Sequence, residues 1–230
     1  MDYQVHEGSC KLKLEMKNVS AKIQKNSSRS LRIAVPNAKE NNIRVIPHTG
    51  ALHIKYISDT PDIIKINIPE TIREIEVIKG NGSFMASDLN LDSLSISSHG
   101  NIELCDVTVY KRCGISTDES SVKLKNCDIS SMSLQMNSGS LETENLVLHG
   151  NNTAYVTNCT VFGTFKGALA DYVISAGSGI ATDDVVVNNH RLTEFPDRKN
   201  VQNCAWLLLA GSLKETAHIN ISKPRYINGY

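Results

Sequence analysis

Residues 94–109 read LSISSHGNIELCDVTV, and their apolar side chains come in pairs whose members are two positions apart. The pairs are Leu94 and Ile96, Ile102 and Leu104, and Val107 and Val109. A spacing of two is the period of a β-strand, because alternate side chains of a strand point to the same face. Turn-forming residues separate the pairs at Ser98–Asn101 and at Asp106. The stretch therefore predicts three short strands joined by tight corners.

The same pattern returns along the chain. It occupies residues 75–91, 113–129 and 134–148, with a partial copy at 156–161 and a further match at 172–187. The period is about 18 to 20 residues, which lies in the range of stacked solenoid repeats. One unit of this length cannot bury its apolar side chains alone, whereas stacked units cover one another. The sequence therefore predicts an all-β fold, a single-stranded parallel β-helix (a solenoid) with irregular N-terminal strands and a C-terminal cap.

One solenoid domain is expected over residues 1–230. Residues 1–70 would form irregular first coils or a cap, residues 71–187 the regular coils, and residues 188–230 a C-terminal excursion followed by closing strands. Terminal repeats are expected to differ from the others because an exposed solenoid edge invites aggregation. The pattern indicates neither a long amphipathic helix nor a second domain.

The repeat aligns two columns of residues along the stack. The core column is apolar and consists of Leu89, Val107, Cys127, Leu146, Cys159 and Val185. The corner row directly precedes it and consists of Asp88, Asp106, Asn126, Asn145, Asn158 and Asp184. Asp and Asn tolerate left-handed backbone conformations and bond to nearby backbone groups, so this row predicts one corner of each coil. A ligand-binding row of acidic side chains is the alternative interpretation.

Outward charges alternate in sign between coils. Glu103, Lys123 and Glu142 fall at matching positions, and Lys125 matches Glu144. In-register parallel strands would place these opposite charges side by side, so we predict an outward charge ladder. Each exposed pair contributes well under about 1 kcal/mol, so the ladder favours the register more than it stabilises the fold.

The charge balance disfavours nucleic acid as a partner. Lys and Arg number 24 and Asp and Glu number 24, whereas nucleic-acid binders usually carry a basic excess that releases counterions from phosphates. No apolar run approaches the roughly 18 residues that span a bilayer, so no transmembrane segment is expected. The N-terminal residues have no signal-peptide pattern, which predicts a cytoplasmic location, with the cell surface reached only by an unrecognised route.

The six cysteines are Cys10, Cys105, Cys113, Cys127, Cys159 and Cys204. None forms a CxxC pair and their spacing matches no zinc site, so no metal ligand is predicted. An even count leaves three disulfides open as one interpretation. Cys127 and Cys159 stand where neighbouring repeats have Leu or Val, which favours buried, reduced cysteines and a reducing compartment.

Three runs carry a resemblance to a known family. They are IREIEVIKGNGSFMASDLNLDSLSISSHGNIELCDV at 72–107, SLQMNSGSLETENL at 133–146 and ISAGSGIATDDVVV at 174–187. With the isoleucine-rich strand that ends at Pro69, these Ser/Gly/Asp turns between short strands resemble the bacterial adhesin-like domains of unknown function. The resemblance runs from about Ile43 to Val187. It implies a β-solenoid related to pectin-lyase-like helices and implies no agreed catalytic residues.

No catalytic motif stands out. The chain has no GxSxG, no P-loop and no dinucleotide-binding GxGxxG after a strand, so no catalytic or cofactor-binding residue and no cofactor is predicted. We therefore expect a non-catalytic binding or scaffolding module with a protein or glycan partner. One alternative is a scaffold that self-assembles through end or edge contacts. Another is a carbohydrate-active lyase or hydrolase that uses the acid pairs Asp118–Glu119 or Asp183–Asp184.

Overall fold

The computed structural model describes residues 2–4, 10–35, 42–168, 171–192 and 205–222. These parts are nearly all β, with a short 3₁₀ turn at Thr182–Asp184. No helix in the described ranges has the length and apolar character needed to cross a membrane. The strands are β1 (Asp2–Gln4), β2 (Lys11–Lys25), β3 (Ser30–Ala34), β4 (Ile43–His48), β5 (Ala51–Ile68), β6 (Glu74–Gly80), β7 (Phe84–Ser98), β8 (Ile102–Lys125), β9 (Asp128–Ile129), β10 (Met132–Leu148), β11 (Asn151–Lys166), β12 (Tyr172–Ala176), β13 (Val185–Val187), β14 (His190–Arg191), β15 (Ala205–Leu213) and β16 (Ala217–Ser222).

The central strands stack in parallel, one coil on the next. Leu89 of β7 lies opposite Val107 of β8, an offset of 18 residues, and Ser133 of β10 lies opposite Thr153 of β11, an offset of 20 residues. Strand β10 also pairs in parallel with β8. These offsets agree with the period read from the sequence. The result is a β-solenoid-like stack in which each long strand bends through corners and contributes to more than one face.

Strand β2 comes early in the chain but does not begin the stack. Strand β2 lies between β5 and the β6–β7 pair, so that Leu12 is opposite both Leu52 of β5 and Ile75 of β6. Its side chains alternate between buried and outward positions over Leu12, Leu14 and Met16. A strand with this alternation can pair along both of its edges. Parallel pairing requires that the buried faces of the two strands match, and the strands need not be consecutive in the chain. Strands β2 and β5 therefore interleave with the later coils and do not form a serial beginning.

The C-terminal strands are interleaved in the same way. Strands β15 and β16 pair with β11, and β12 and β13 pair in turn with β15 and β16. The sequence predicts closing strands at Trp206–Leu209 and His218–Ile221, but the structure places β12 and β13, which come earlier in the chain, farther out. Strand pairing rather than chain order decides this arrangement. Leu207 of β15 lies opposite Asn152 of β11 on one edge and Ile174 of β12 on the other.

Antiparallel strands cover part of each outer edge. Strands β3 and β4 run antiparallel to β5, with Ile33 opposite Ile66 and Val45 opposite Ile54, and β14 runs antiparallel to β13. Strand β4 contains Pro47, which has no backbone N–H to offer to a further strand. Proline on an edge strand is a common way for proteins to prevent edge-to-edge association.

The predicted core column agrees with the structure except at its last two members. Leu89, Val107, Cys127 and Leu146 are aligned by the strand register, and all four are buried. The prediction that Cys159 and Val185 continue this column is wrong. Cys159 lies opposite Gly139, Phe165 takes the place beside Leu146, and Val185 lies opposite Ala217.

The predicted corner row is also wrong at its last two members. Asp88, Asp106, Asn126 and Asn145 have φ values between 49° and 57°, in the left-handed region. Asn158 is also left-handed, but the register places it opposite Ser138 in a second corner row that includes Glu119. Asp184 ends the 3₁₀ turn and belongs to neither row. The second row otherwise holds Glu119 and Ser138, whereas Asn158 has the residue type of the first row, so sequence matching assigned it to the wrong row.

Candidate functional site

One outward face of the stack is formed by the first strand segment of each coil. At its N-terminal end this face is charged, with ion pairs from Lys11 to Glu76 and from Lys55 to Glu15. In the middle coils the outward side chains become small and polar. Because parallel strands are in register, equivalent side chains form straight rows along the stack axis.

A groove of about 560 Å³ lies on this face where it approaches the second corner row. Two rows of side chains line it. The first row runs over four coils through Ser97, Ser116, Gln135 and Tyr155, all of them exposed. The second row runs through Asp118, Asn137 and Thr157, with His99 at its end. We call this feature the polar groove.

The chemistry of the polar groove is that of uncharged hydrogen bonding. Hydroxyl and amide groups supply both donors and acceptors, whereas the Asp118 carboxylate only accepts when ionised. None of its described lining residues is Lys or Arg, and Asp118 is the one carboxylate among them. Tyr155 is 56% exposed and supplies an aromatic surface at one end.

Two buried atoms in the lining have no hydrogen-bond partner among the described residues. They are Thr117 Oγ1 and Asp118 Oδ1. Thr117 is 6% exposed and lies at an inward position between the two rows. Buried polar atoms in folded proteins are nearly always hydrogen-bonded, so two unpartnered oxygens on adjacent residues are unusual, and of the two residues Asp118 is the one in an outward row.

A second cavity, of about 520 Å³, lies between Val147, His149, Lys166 and Tyr172. The His149 imidazole Nε2 is 2.9 Å from Asp128 Oδ1, and the Tyr172 hydroxyl donates to the Lys166 carbonyl at 2.7 Å. Burial raises the pKa of Tyr172, which keeps its hydroxyl protonated at neutral pH. These polar groups already have partners within the protein.

The corner row forms a chain of side-chain hydrogen bonds. The Asn145 amide donates to Asn126 Oδ1 at 3.0 Å, and the Asn126 amide donates to Asp106 Oδ1 at 3.0 Å. The Cys105 thiol donates to Asp106 Oδ2 at 3.0 Å. Both Asp106 oxygens are thus engaged within the protein, which supports a structural role for this row over ligand binding. The hydrogen bonds from Cys105 and Asn126 lower the pKa of Asp106.

The outward charge ladder lies on a different face from the polar groove. Lys123 Nζ is 2.8 Å from Glu142 Oε2, and Lys125 Nζ is 3.0 Å from Glu144 Oε2. The hydrogen bond to Glu142 raises the pKa of Lys123, and the charge of Glu103 acts in the same direction. All these side chains are solvent-exposed, so they align neighbouring coils with little gain in stability.

Five of the six cysteines lie in described parts of the chain, and all five are free thiols. Cys113, Cys127 and Cys159 are buried, Cys105 is half-buried and Cys10 is exposed, while Cys204 lies outside the described residues. Burial raises the pKa of Cys113 to about 12. Among the described residues, no group of three or more His, Cys, Asp or Glu side chains is arranged to hold a metal ion.

Cys105 offers a direct chemical test of the corner row. Its hydrogen bond to Asp106, then its desolvation, raise the thiol pKa to about 11, so little reactive thiolate forms near pH 8. We expect Asp106→Asn to lower this pKa and to accelerate alkylation of Cys105 by iodoacetamide, because the negative charge is lost. The Asn side chain still presents an oxygen to Asn126, so the ladder is preserved.

Site-resolved mass spectrometry of timed alkylation reactions measures this effect. Cys10 serves as the internal control, because it is distant in sequence from the substitution and its labelling rate should not change. Equal Cys105 rates in the wild-type protein and the D106N variant would contradict the role assigned to the thiol–carboxylate hydrogen bond.

The sequence did not single out the residues of the polar groove, apart from Asp118. Ser97, Ser116 and Gln135 are ordinary outward strand residues in any one repeat, and Tyr155 belongs to a partial copy. Their common signal was their equal position in successive coils, which becomes informative only when the register is known. Asp118 does not pair with Glu119 toward one site, because Glu119 occupies a left-handed corner position. Asp183 and Asp184 lie apart from the groove on the 3₁₀ turn.

Comparison with solved structures finds two that resemble the chain across nearly its full length. One is described as a "putative cell adhesion protein" from Clostridium sporogenes ATCC 15579, with 15% identity, 97% of this chain and 98% of that chain covered, and a TM-score of 0.36. The other is a "putative adhesin" from Bacteroides fragilis NCTC 9343, with 16% identity, 96% and 95% coverage, and a TM-score of 0.47.

No curated protein matches the chain. The family model of Toastrack DUF4097 matches residues 3–178, which include strands β2 to β12 and the polar groove. Since this match spans well over half of the 230 residues, the protein belongs to the Toastrack DUF4097 family.

Proposed function

We propose that this Toastrack protein is a non-catalytic, adhesin-like binding module that recognises its partner through the polar groove. We further propose that the stack is a single-stranded parallel β-helix of the pectin-lyase-like kind, forming one domain. The observation that carries the functional proposal is the groove itself. It gathers hydroxyl, amide and aromatic side chains from four successive coils into one concave surface.

The composition of the groove supports binding over hydrolysis. Glycoside hydrolysis generally requires two carboxyl groups that flank the scissile bond, one of which acts as a general acid. The described lining of the polar groove contains one carboxylate, that of Asp118, and Glu119 is turned into the corner row. Concave surfaces with a few well-placed polar groups are typical of binding sites.

A paired assay tests this proposal. The chain is applied to immobilised polysaccharides and extracellular matrix proteins, and both retention and the release of soluble products are measured. We expect retention on at least one class, with neither new reducing ends nor unsaturated sugars. The double variant Gln135→Ala/Asn137→Ala removes two groove amides and should lose retention.

The matched control is Gln24→Ala/Asn90→Ala, which removes one exposed Gln and one exposed Asn outside the groove. This control should bind like the wild-type protein. Steady release of products would instead establish an enzyme. Equal loss of retention in both double variants would show that the polar groove is not the recognition surface.

Self-assembly through the ends of the stack is the competing function, and the edges argue against it. Strands β3 and β4 cover β5, and Pro47 interrupts the donor row of β4. We therefore expect a single monomeric species in sedimentation velocity across a wide range of protein concentrations. Growth of the sedimentation coefficient with concentration would favour assembly, and Pro47→Val should then strengthen it.

A further inference from the structure

We propose that the polar groove is a subsite for an uncharged oligosaccharide whose chain runs along the stack axis, across the strands. This inference rests on the proposed binding function and deepens it by naming the ligand class. Five features of the groove carry it: its direction, its hydrogen-bonding groups, an unpartnered carboxylate oxygen, its lack of Lys and Arg side chains, and its exposed tyrosine.

The direction of the groove fits an extended ligand. The first row crosses four strands from Ser97 to Tyr155, and neighbouring strands are about 4.8 Å apart, so the row is about 14 Å long. The second row lies two residues, or about 7 Å, farther along the same strands than the first row. A ligand lying between the rows contacts side chains from every coil, which suits a short chain of sugar rings.

The groups that line the groove match the hydroxyls of a sugar. Adjacent sugar hydroxyls donate and accept at the same time, and they are best satisfied by paired donors and acceptors. Asp118 supplies acceptors, while the Gln135 and Asn137 amides supply both donors and acceptors. These three residues are neighbours on the face. Asp118 lies opposite Asn137 in the strand register, and Gln135 lies two residues before Asn137 on the same strand.

An unpartnered carboxylate oxygen supports a ligand that donates hydrogen bonds. Asp118 lies in the second outward row, and its Oδ1 has no hydrogen-bond partner among the described residues. Buried polar atoms are nearly always hydrogen-bonded, and exceptions are often found at sites. A sugar hydroxyl seated in the groove can donate to the Asp118 carboxylate.

The charge of the groove selects an uncharged ligand. Acidic sugars need a cationic partner when they leave water, and the described lining offers neither Lys nor Arg. Asp118 would repel their carboxylates. Tyr155, which is 56% exposed, supplies an aromatic face for the apolar C–H surface of a sugar ring.

Binding of defined oligosaccharides tests the inference. The probes are cello-, xylo- and malto-oligosaccharides and N-acetylglucosamine oligomers as neutral ligands, with oligogalacturonates as the anionic comparison. We expect isothermal titration calorimetry to detect at least one neutral series and to give no signal with oligogalacturonates. Tyr155→Ala should weaken this binding by about tenfold or more, whereas Tyr155→Phe should keep most of it. Tyr110→Ala, at a tyrosine that is 51% exposed outside the groove, is the matched control.

Each outcome distinguishes the ligand class from the broader function. Retention of a matrix protein that depends on Gln135 and Asn137, with no neutral oligosaccharide bound, overturns this inference but leaves the proposed binding function intact. Preference for oligogalacturonates also overturns it. Turnover of a saccharide overturns the proposed function itself. Neutral binding that is lost in Y155A and kept in Y110A supports both.

Discussion

Replacement of Gly139 by alanine is expected to destabilise the protein by about 3 kcal/mol or more. Gly139 has a φ of +136°, where L side chains are strained. A Cβ atom there would lie 1.9 Å from the carbonyl oxygen of Ser120 in the neighbouring coil. That oxygen belongs to backbone paired with Gly139 itself, so it cannot move aside without breaking the parallel ladder.

Two other glycines make this a graded experiment. Gly114 has an ordinary φ and no atom within 4 Å of the position that a Cβ would take, so Gly114→Ala should change stability by less than about 0.5 kcal/mol. Gly150 has a φ of +64° and a Cβ position 3.0 Å from the Ser130 carbonyl oxygen, which predicts an intermediate loss. Urea unfolding followed by circular dichroism gives the three free energies of unfolding. Similar losses for G114A and G139A would contradict the close-approach explanation.

Replacement of Asn152 by alanine is expected to cost about 3 kcal/mol, because one side chain connects three coils. Asn152 is 1% exposed. Its Oδ1 accepts from the Met132 N–H at 2.8 Å, and its Nδ2 donates to the Trp206 carbonyl at 3.0 Å and to the His149 carbonyl at 3.2 Å. A fourth hydrogen bond joins Nδ2 to the Gly150 carbonyl at 3.3 Å. Alanine removes all four hydrogen bonds and deprives the Met132 N–H of its side-chain acceptor within the stack.

Asn90→Ala is the matched control for this experiment. Asn90 is exposed and lies on another face of the stack, so its loss should stay within about 0.5 kcal/mol. Hydrogen exchange would locate the effect of Asn152→Ala, with faster exchange expected in β15 than in β7. Uniform exchange changes across both strands would argue against a local bridge between coils, and a stability equal to that of N90A would rule the bridge out.

The polar groove, unlike these glycine and asparagine positions, is expected to tolerate substitution. Gln135, Asn137 and Tyr155 are exposed, and exposed positions away from special backbone conformations usually change stability by less than about 0.5 kcal/mol. This difference separates residues that hold the coils together from residues that are available to a partner.

The sequence by itself determined the repeat. Alternating apolar residues at Leu94 and Ile96 or at Val107 and Val109 require one buried and one outward face, whatever the neighbouring strand is. Asp88 and Asp106 indicated left-handed corners because few other residues adopt that conformation readily. These properties are local, and in-register stacking multiplies them along the chain, so pattern and period sufficed to predict them.

Only the tertiary structure decided which strand lies beside which. Strand β2 is inserted between β5 and β6, and β15 is inserted between β11 and β12, although alternation alone permits many orders. The predicted positions of Asn158 and Cys159 were wrong by one corner, because Asn158 has the residue type of the first corner row although it lies in the second. Asn152 reaches a carbonyl 54 residues away in the chain, and the polar groove takes its side chains from four coils. Such features depend on which strands pair when those strands are far apart in the chain. Parallel pairing is decided by matching buried faces of two strands rather than by their distance along the chain.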